Sequence, residues 1–229
     1  MEYNYFDEKR EKTPEAELKK IQLKKGLWSA RHLSSNVKAI NDRYKEAGVD
    51  LDTIQSLEDF QKIPFMTKKD FLTSYPDKLL CVEREELIRL HCSSGSTGNK
   101  PKTGYYTKKD LDNWTYLCAR NLGAIGVTKA HVFQNTTSAG LFTGGFGYAQ
   151  GATEVGAMLI PFGPGMTRKQ LRFFKDFKVN SFHAIPSFAL RLANIAQEEG
   201  YNPEEDFELE CAIVGAEGWA ESTRDRIEE

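Results

Sequence analysis

The sequence predicts an α/β fold behind a helical amino-terminal section, and three features predict it. Short β-rich runs recur at residues 87–91, 131–135, 158–162, 181–183 and 211–214, with helical stretches between them; strands joined by crossover helices produce that alternation. No such run occurs earlier, so the expected organisation is a helical section over residues 1–78 and an α/β part over 79–229. Helix-start signals precede most helical stretches, each a capping residue followed three positions later by a side chain that can reach back.

In order along the chain, Thr13 stands before Pro14, a residue suited to a first helical position. Capping-box spacing follows at Ser56 to Asp59, Thr67 to Asp70, Thr107 to Asp110 and Thr167 to Gln170. Leu18 and Ile21, then Leu33, Val37, Ile40 and Tyr44, keep the three-to-four-residue spacing of buried helix faces. The helix after Thr107 is expected to lay Leu111, Trp114, Leu117, Cys118, Leu122 and Ile125 on a sheet and leave Lys108, Lys109, Asp112 and Arg120 in water. Residues 140–156 mix six glycines (140, 144, 145, 147, 151 and 156) with Leu141, Phe142, Phe146, Tyr148 and Val155. A helix there loses roughly 1 kcal/mol per glycine relative to alanine. Either close packing of a helix against the sheet or a small-residue wall that leaves room for a ligand offsets this.

Composition narrows the functional classes. A net charge of −2, from 31 basic and 33 acidic side chains spread along 229 residues, offers no electrostatic footprint for nucleic acid. Cys81, Cys92, Cys118 and Cys211 lie far apart, and the one adjacent histidine, His91 beside Cys92, would point to the opposite face of a strand. They read as ordinary thiols in a reducing compartment, with no metal site. The first ten residues lack the apolar stretch of a secretory signal and no window is apolar enough for a membrane span, so a cytoplasmic protein is expected. Residues 220–229 begin a charged helix and stop without a cap, which leads us to expect a truncation.

The sharpest chemical signal is Ser93-Ser-Gly-Ser-Thr-Gly-Asn-Lys-Pro-Lys102, directly after the run at 87–91. Gly95 and Gly98 allow close backbone approach, Ser93, Ser94, Ser96 and Thr97 offer hydroxyl donors, and Lys100 and Lys102 bring positive charge. Such a loop suits a polyphosphate, although a Ser/Gly-rich loop of this kind is also a common turn. The spacing is not the G-x-x-x-x-G-K-[ST] of P-loop nucleotide folds, and residues 103–107 read as a second extended segment before the capped helix.

In this region the chain resembles the phenylacetate–coenzyme A ligase family of adenylate-forming enzymes, whose signature S-S-G-[ST]-T-G-x-P is followed by G-Y-T-x-x-D. Here the segments read Ser93-Ser-Gly-Ser-Thr-Gly-Asn-Lys-Pro and Gly104-Tyr-Tyr-Thr-Lys-Lys-Asp110. Gly48-Val-Asp50, Ser56-Leu-Glu-Asp59, Ile63-Pro-Phe65 and Thr67-Lys-Lys-Asp70 are similar upstream; Gly140-Leu-Phe-Thr-Gly-Gly145, His183-Ala-Ile-Pro-Ser187 and Gly215-Ala-Glu-Gly-Trp219 match downstream, in order. The resemblance implies a mixed β-sheet flanked by helices, as in part of the large domain of adenylate-forming enzymes. It implies an ATP-dependent ligase that joins a small carboxylic acid to coenzyme A (CoA) through an acyl-adenylate, with magnesium. Relatives commonly form homodimers, and one is expected here on that ground.

By the same resemblance Ser93, Ser94, Gly95, Ser96, Thr97 and Gly98 would hold the β- and γ-phosphates, with Lys100 as charge partner. Gly215, Ala216 and Glu217 would line the nucleotide and acyl pocket, and Thr136, Gly140 and His183 would face the acid. Three departures stand out. Asn99 is an extra residue that could displace Lys100, Gly218 replaces the family's proline, and Thr136, Thr137 and Ser138 occupy positions where the family usually carries aromatic residues against the acyl group. These smaller, more polar side chains suit a different acid, or none. The family's metal-binding glutamate, ribose-binding aspartate and adenylation lysine lie beyond this stretch, so no catalytic residue is assigned and the segment alone is expected to be inactive. Two alternatives stay open: an adenylating enzyme with a non-CoA acceptor, and a non-catalytic binding module.

Overall fold

The computed structural model describes residues 4–93, 100–141 and 143–228. Backbone contacts divide the chain into two compact units, Glu8–Asp110, and Met1–Asp7 together with Leu111–Glu229. No helix among the described residues is long and apolar enough to cross a membrane.

The unit Glu8–Asp110 is helical at first, with α1 (Glu8–Glu11), α2 (Glu15–Asn36), α3 (Lys38–Glu46) and α4 (Lys68–Thr73). Pro14 stands immediately before α2. The Thr13 hydroxyl donates back to Arg10 O at 2.8 Å, so it closes the turn of α1 instead of capping α2. Val37 breaks the chain between α2 and α3 in an extended conformation, with no glycine or proline to force it. Its side chain is 3% exposed and packs with Ala30, Ile40 and Tyr44, so burial in this cluster sets the break. Leu18 and Ile21 lie in α2, as their spacing predicts, and are exposed. The capping boxes at Ser56/Asp59 and Thr67/Asp70 both form, and Asp70 also pairs with the Arg43 guanidinium. The unit ends in an antiparallel hairpin of β1 (Leu87–Cys92) and β2 (Thr103–Thr107), with Cys92 opposite Thr103.

The remaining unit is built on a four-stranded parallel sheet in the order β4-β3-β5-β6, from β3 (Val132–Asn135), β4 (Met158–Ile160), β5 (Ser181–Ala184) and β6 (Cys211–Val214). Parallel and antiparallel pairing thus sit in separate sheets. The helices are α5 (Lys108–Ala124, whose first residues belong to the other unit), α6 (Thr143–Val155), α7 (Thr167–Asp176), α8 (Pro186–Glu198), α9 (Pro203–Asp206) and α10 (Glu221–Glu228). Leu122 of α5 and Ala152 of α6 cluster with Phe133, whereas Leu171 and Phe174 of α7 and Ala189 and Leu192 of α8 cluster with Phe182 and Ala184. Side chains alternate along a strand, so these two clusters lie on opposite sheet faces.

Two expectations for these helices fail. Leu117 is 56% exposed, while Ala119, not counted in the apolar stripe, is fully buried. The face of α5 is therefore rotated towards Leu111, Cys118, Ala119 and Leu122. Thr167 and Gln170 form no capping box: the residue before α7 is Met166, in a left-handed conformation with no side-chain cap. Gln170 has other partners. Its amide nitrogen donates to Gly163 O and Gly165 O, and its oxygen accepts from the Gln134 amide of β3.

Candidate functional site

The connection from β3 through α6 leads to β4 on one side, and that from β5 through α8 leads to β6 on the other. The chain thus reverses direction between β3 and β5, and in open α/β sheets ligands bind outside the strand ends at such a reversal. Three polar residues of the parallel unit gather there: Asn135, Thr137 and His183. The Asn135 amide nitrogen donates to Gly145 O at 2.9 Å, which turns its oxygen towards His183. That oxygen lies 3.2 Å from His183 Nδ1 and accepts from the Thr137 hydroxyl at 2.9 Å, which itself lies 3.1 Å from Nδ1.

His183 is 6% exposed, with the Tyr148 ring against it at a centroid distance of 4.4 Å. Burial pushes its pKa down to about 4, so the imidazole is neutral at neutral pH. Burial also pushes the Cys118 and Cys211 thiols up to about 11, which leaves both protonated and poor nucleophiles. Thr136 is at the reversal too, but its hydroxyl donates to His183 O at 2.7 Å and its amide to the same oxygen at 3.1 Å. It clamps β3 to β5.

The glycines of α6 divide by role. A Cβ on Gly147 would come within 2.5 Å of the Trp114 indole nitrogen, and one on Gly151 within 2.7 Å of Cys118 Cβ, so these two let α5 and α6 touch. A Cβ on Gly145 would meet Ser138 O at 2.0 Å. Gly144 differs, because its Cβ would meet only His183 Cε1, at 3.8 Å. Gly140 is exposed near Ser138, whose hydroxyl accepts from the Gly140 amide at 3.0 Å. Close packing therefore accounts for Gly145, Gly147 and Gly151, whereas Gly144 has no such neighbour among the described residues.

Gly215, Ala216 and Glu217 follow β6. Among the described residues no atom lies within 4 Å of a Cβ built on Gly215, and Ala216 is held in the left-handed region at φ 74. Glu217 accepts from the Ser187 amide at 2.9 Å and from the Ser187 hydroxyl at 3.0 Å, and so caps the amino terminus of α8. This anchors the segment beside the end of β5.

Of the phosphate-loop candidates, Ser94, Gly95, Ser96, Thr97 and Gly98 lie outside the described residues, as does Asn99. Ser93 and Lys100 are described, in the unit Glu8–Asp110. Ser93 continues the hairpin: its amide donates to Lys102 O and its hydroxyl accepts from the Lys102 amide, each at 2.9 Å. The Lys100 ammonium lies 5.5 Å from the Tyr75 ring centroid. Ser93 and Lys102 thus extend the pairing of β1 with β2 by one step. Among the described residues no three His, Cys, Asp or Glu side chains come together as a metal cage.

Sequence reasoning missed Asn135, which orients His183, and Ser187, which anchors Glu217. A polar residue ending a predicted parallel strand was the available signal for Asn135. Nothing local pointed to Ser187, whose partner is 30 residues away.

This is the architecture of adenylate-forming acyl-CoA ligases. The structure superposes on a 2-hydroxyisobutyryl-CoA ligase crystallised with 2-HIB-AMP and CoA in the thioesterification state, with a TM-score of 0.87 and 27% identity over 94% of this chain and 47% of that one. An open conformation of that enzyme, also with 2-HIB-AMP and CoA, gives 0.86 and 26% over 94% and 48%. In sequence the chain is, over most of its length, a homologue of the phenylacetate-coenzyme A ligases. It is 37% identical to that of Pseudomonas putida over 93% of this chain and 48% of the relative, and 41% identical to that of Thermus thermophilus over 80% and 41%. The Escherichia coli enzyme gives 34% over 93% and 48%. The chain spans about half the length of these curated relatives. No protein-family model matches it.

Proposed function

We propose that the whole protein is an ATP-dependent acid–CoA ligase, which activates a small carboxylic acid as an acyl-adenylate and transfers the acyl group to the thiol of CoA. The observation that carries this reading is the polar cluster of Asn135, Thr137 and His183 at the strand reversal, in a fold shared with a ligase that holds 2-HIB-AMP and CoA. In this reading Ser93, Ser94, Gly95, Ser96, Thr97, Gly98 and Lys100 receive the phosphates, and Gly215, Ala216 and Glu217 border the nucleotide. Gly140 and His183 face the acid, and Thr136 holds the two strands that carry them.

The residues fit these assignments in part. Ser93 and Lys102, which flank the candidate phosphate loop, are hydrogen-bonded to each other, and among the described residues Gly215 has open space where a flat ring could approach. Glu217 acts through position, since Ser187 occupies its carboxylate. Magnesium bound with nucleotide phosphates needs only one or two protein carboxylates, and the ion supplies charge neutralisation on those phosphates. The same reading makes it a cytoplasmic enzyme acting on small molecules, alone or as a homodimer.

Acid-dependent ATP–pyrophosphate exchange by the full-length protein, screened over short acyl and aryl acids, tests the reading. Exchange with at least one acid, followed by thioester formation when CoA is added, is expected. Folded full-length protein without exchange for any acid would overturn it, and exchange without thioester would reassign the acceptor.

A further inference from the structure

The buried imidazole of His183 is held in one tautomer with its second nitrogen left over. Because the Asn135 amide nitrogen is engaged by Gly145 O, the atom facing the ring is an oxygen, an acceptor. The hydrogen therefore sits on Nδ1, shared between Asn135 Oδ1 and Thr137 Oγ1, and Nε2 carries a lone pair. Among the described residues Nε2 has no hydrogen-bond partner, although the side chain is 94% buried, the complement of its 6% exposure. The ring is buried, but Nε2 is not among the enclosed atoms left without a partner, so this acceptor is open to a donor from solvent or from a ligand.

Beside it is room. Gly144 is exposed, and a Cβ there would touch only His183 Cε1, the ring carbon bonded to both nitrogens. Gly145, Gly147 and Gly151 are glycines because a side chain would collide with protein; Gly144 has no such reason within the described residues. The charge of the cluster narrows the donor. Among the described residues no Asp or Glu bonds to Asn135, Thr137 or His183, so none of them compensates an ammonium, whereas a neutral hydroxyl needs no counter-charge.

We infer that His183 Nε2 accepts a hydrogen bond from a hydroxyl on the acid, and that the substrate is a hydroxyl-bearing carboxylic acid seated beside Gly144. This rests on the ligase reading above and adds a substrate class to it. His183 is then a specificity-determining residue, positioned by Asn135 and Thr137, because a site built around a hydroxyl discriminates against the analogue that lacks it.

The test uses the full-length protein and pairs of acids that differ by one hydroxyl, short 2-hydroxy and 3-hydroxy acids and hydroxylated aryl acids against their deoxy counterparts. Acid-dependent ATP–pyrophosphate exchange is read as kcat/KM. Within at least one pair the hydroxylated acid is expected to be favoured by about tenfold or more. His183→Leu should collapse that ratio towards one, and His183→Gln, which keeps an acceptor oxygen, should restore part of it. A wild-type enzyme indifferent to the hydroxyl in every pair overturns the inference while the ligase reading stands, and this outcome needs no variant to fold. A preference that persists undiminished in folded His183→Leu removes His183 from the role. Exchange with no acid at all overturns the ligase reading, and the inference falls with it.

Discussion

Single side chains here act mostly on backbone and on each other. Glu217 satisfies two donors of Ser187 in the first turn of α8, so Glu217→Ala should lower stability by about 1 kcal/mol, as for loss of a helix cap. Chemical denaturation of wild type and variant measures it. The same change also frees the segment around Ala216, whose left-handed backbone is disfavoured for a residue with a Cβ. ATP affinity should therefore fall along with stability if the segment borders the nucleotide. His183 makes a second claim at this scale. Its pKa is held at about 4 in the folded protein against an ordinary 6.5, so the unfolded chain binds the extra proton between those values. Its contribution to stability is fully present above about pH 6.5, falls as the pH drops towards 4, and changes no further below that, with a slope of at most about 1.4 kcal/mol per pH unit. His183→Gln should flatten this part of the stability profile, and a profile identical to wild type would contradict the burial argument.

Among elements, α6 shows how one composition can answer to different constraints. Gly151→Ala places a methyl group against Cys118 Cβ and the Ala119 amide, 2.7 and 2.9 Å away, and should destabilise by about 1–3 kcal/mol even though alanine favours the helix. Gly144→Ala meets only the His183 ring edge and should leave thermal stability unchanged or slightly raised. A comparison of the two melting temperatures decides whether the division of roles is right. The carboxylate of Asp70 likewise serves two elements, closing the capping box of α4 and pairing with Arg43 of α3. Hydrogen bonds from Arg43, then from Thr67, hold it well below the usual carboxylate range. What it contributes is fully present above the ordinary carboxylate range, begins to fall as the pH enters that range and is lost by the time the pH has passed through its depressed folded value. A carboxylate titration by NMR should show Asp70 still ionised where exposed aspartates are protonated, and Asp70→Asn should abolish the signal and loosen α4.

For the whole molecule, much of the α/β part was legible because its local signals agree with its tertiary role. The runs at 87–91, 158–162 and 211–214 became β1, β4 and β6 with small shifts at their ends, since a short apolar run between turn signals has few other ways to be buried. Thr107 and Asp110 cap the start of α5 as spaced, through hydrogen bonds that need nothing beyond four consecutive residues. Leu117 keeps helical spacing but stays exposed, and Gln170 has capping spacing but turns inward to Gln134, a partner distant in sequence. The candidate site follows the same rule. Its residue types and order could be read, whereas the union of Asn135 with His183 required two strands 48 residues apart to become neighbours.

Taken alone, the order of residues determined the helical front section, the alternation of strand and helix, and the hydroxyl- and glycine-rich stretch beginning at Ser93, all of which are written in spacings of a few residues. Only the tertiary structure decided which glycines of α6 touch protein and which face open space. It also decided that Glu217 is a cap and that His183 is a buried, neutral ring with one nitrogen fixed. The physical reason is range: capping and periodicity act within a turn or two, while burial and hydrogen-bond partnership depend on which segments the fold brings side by side.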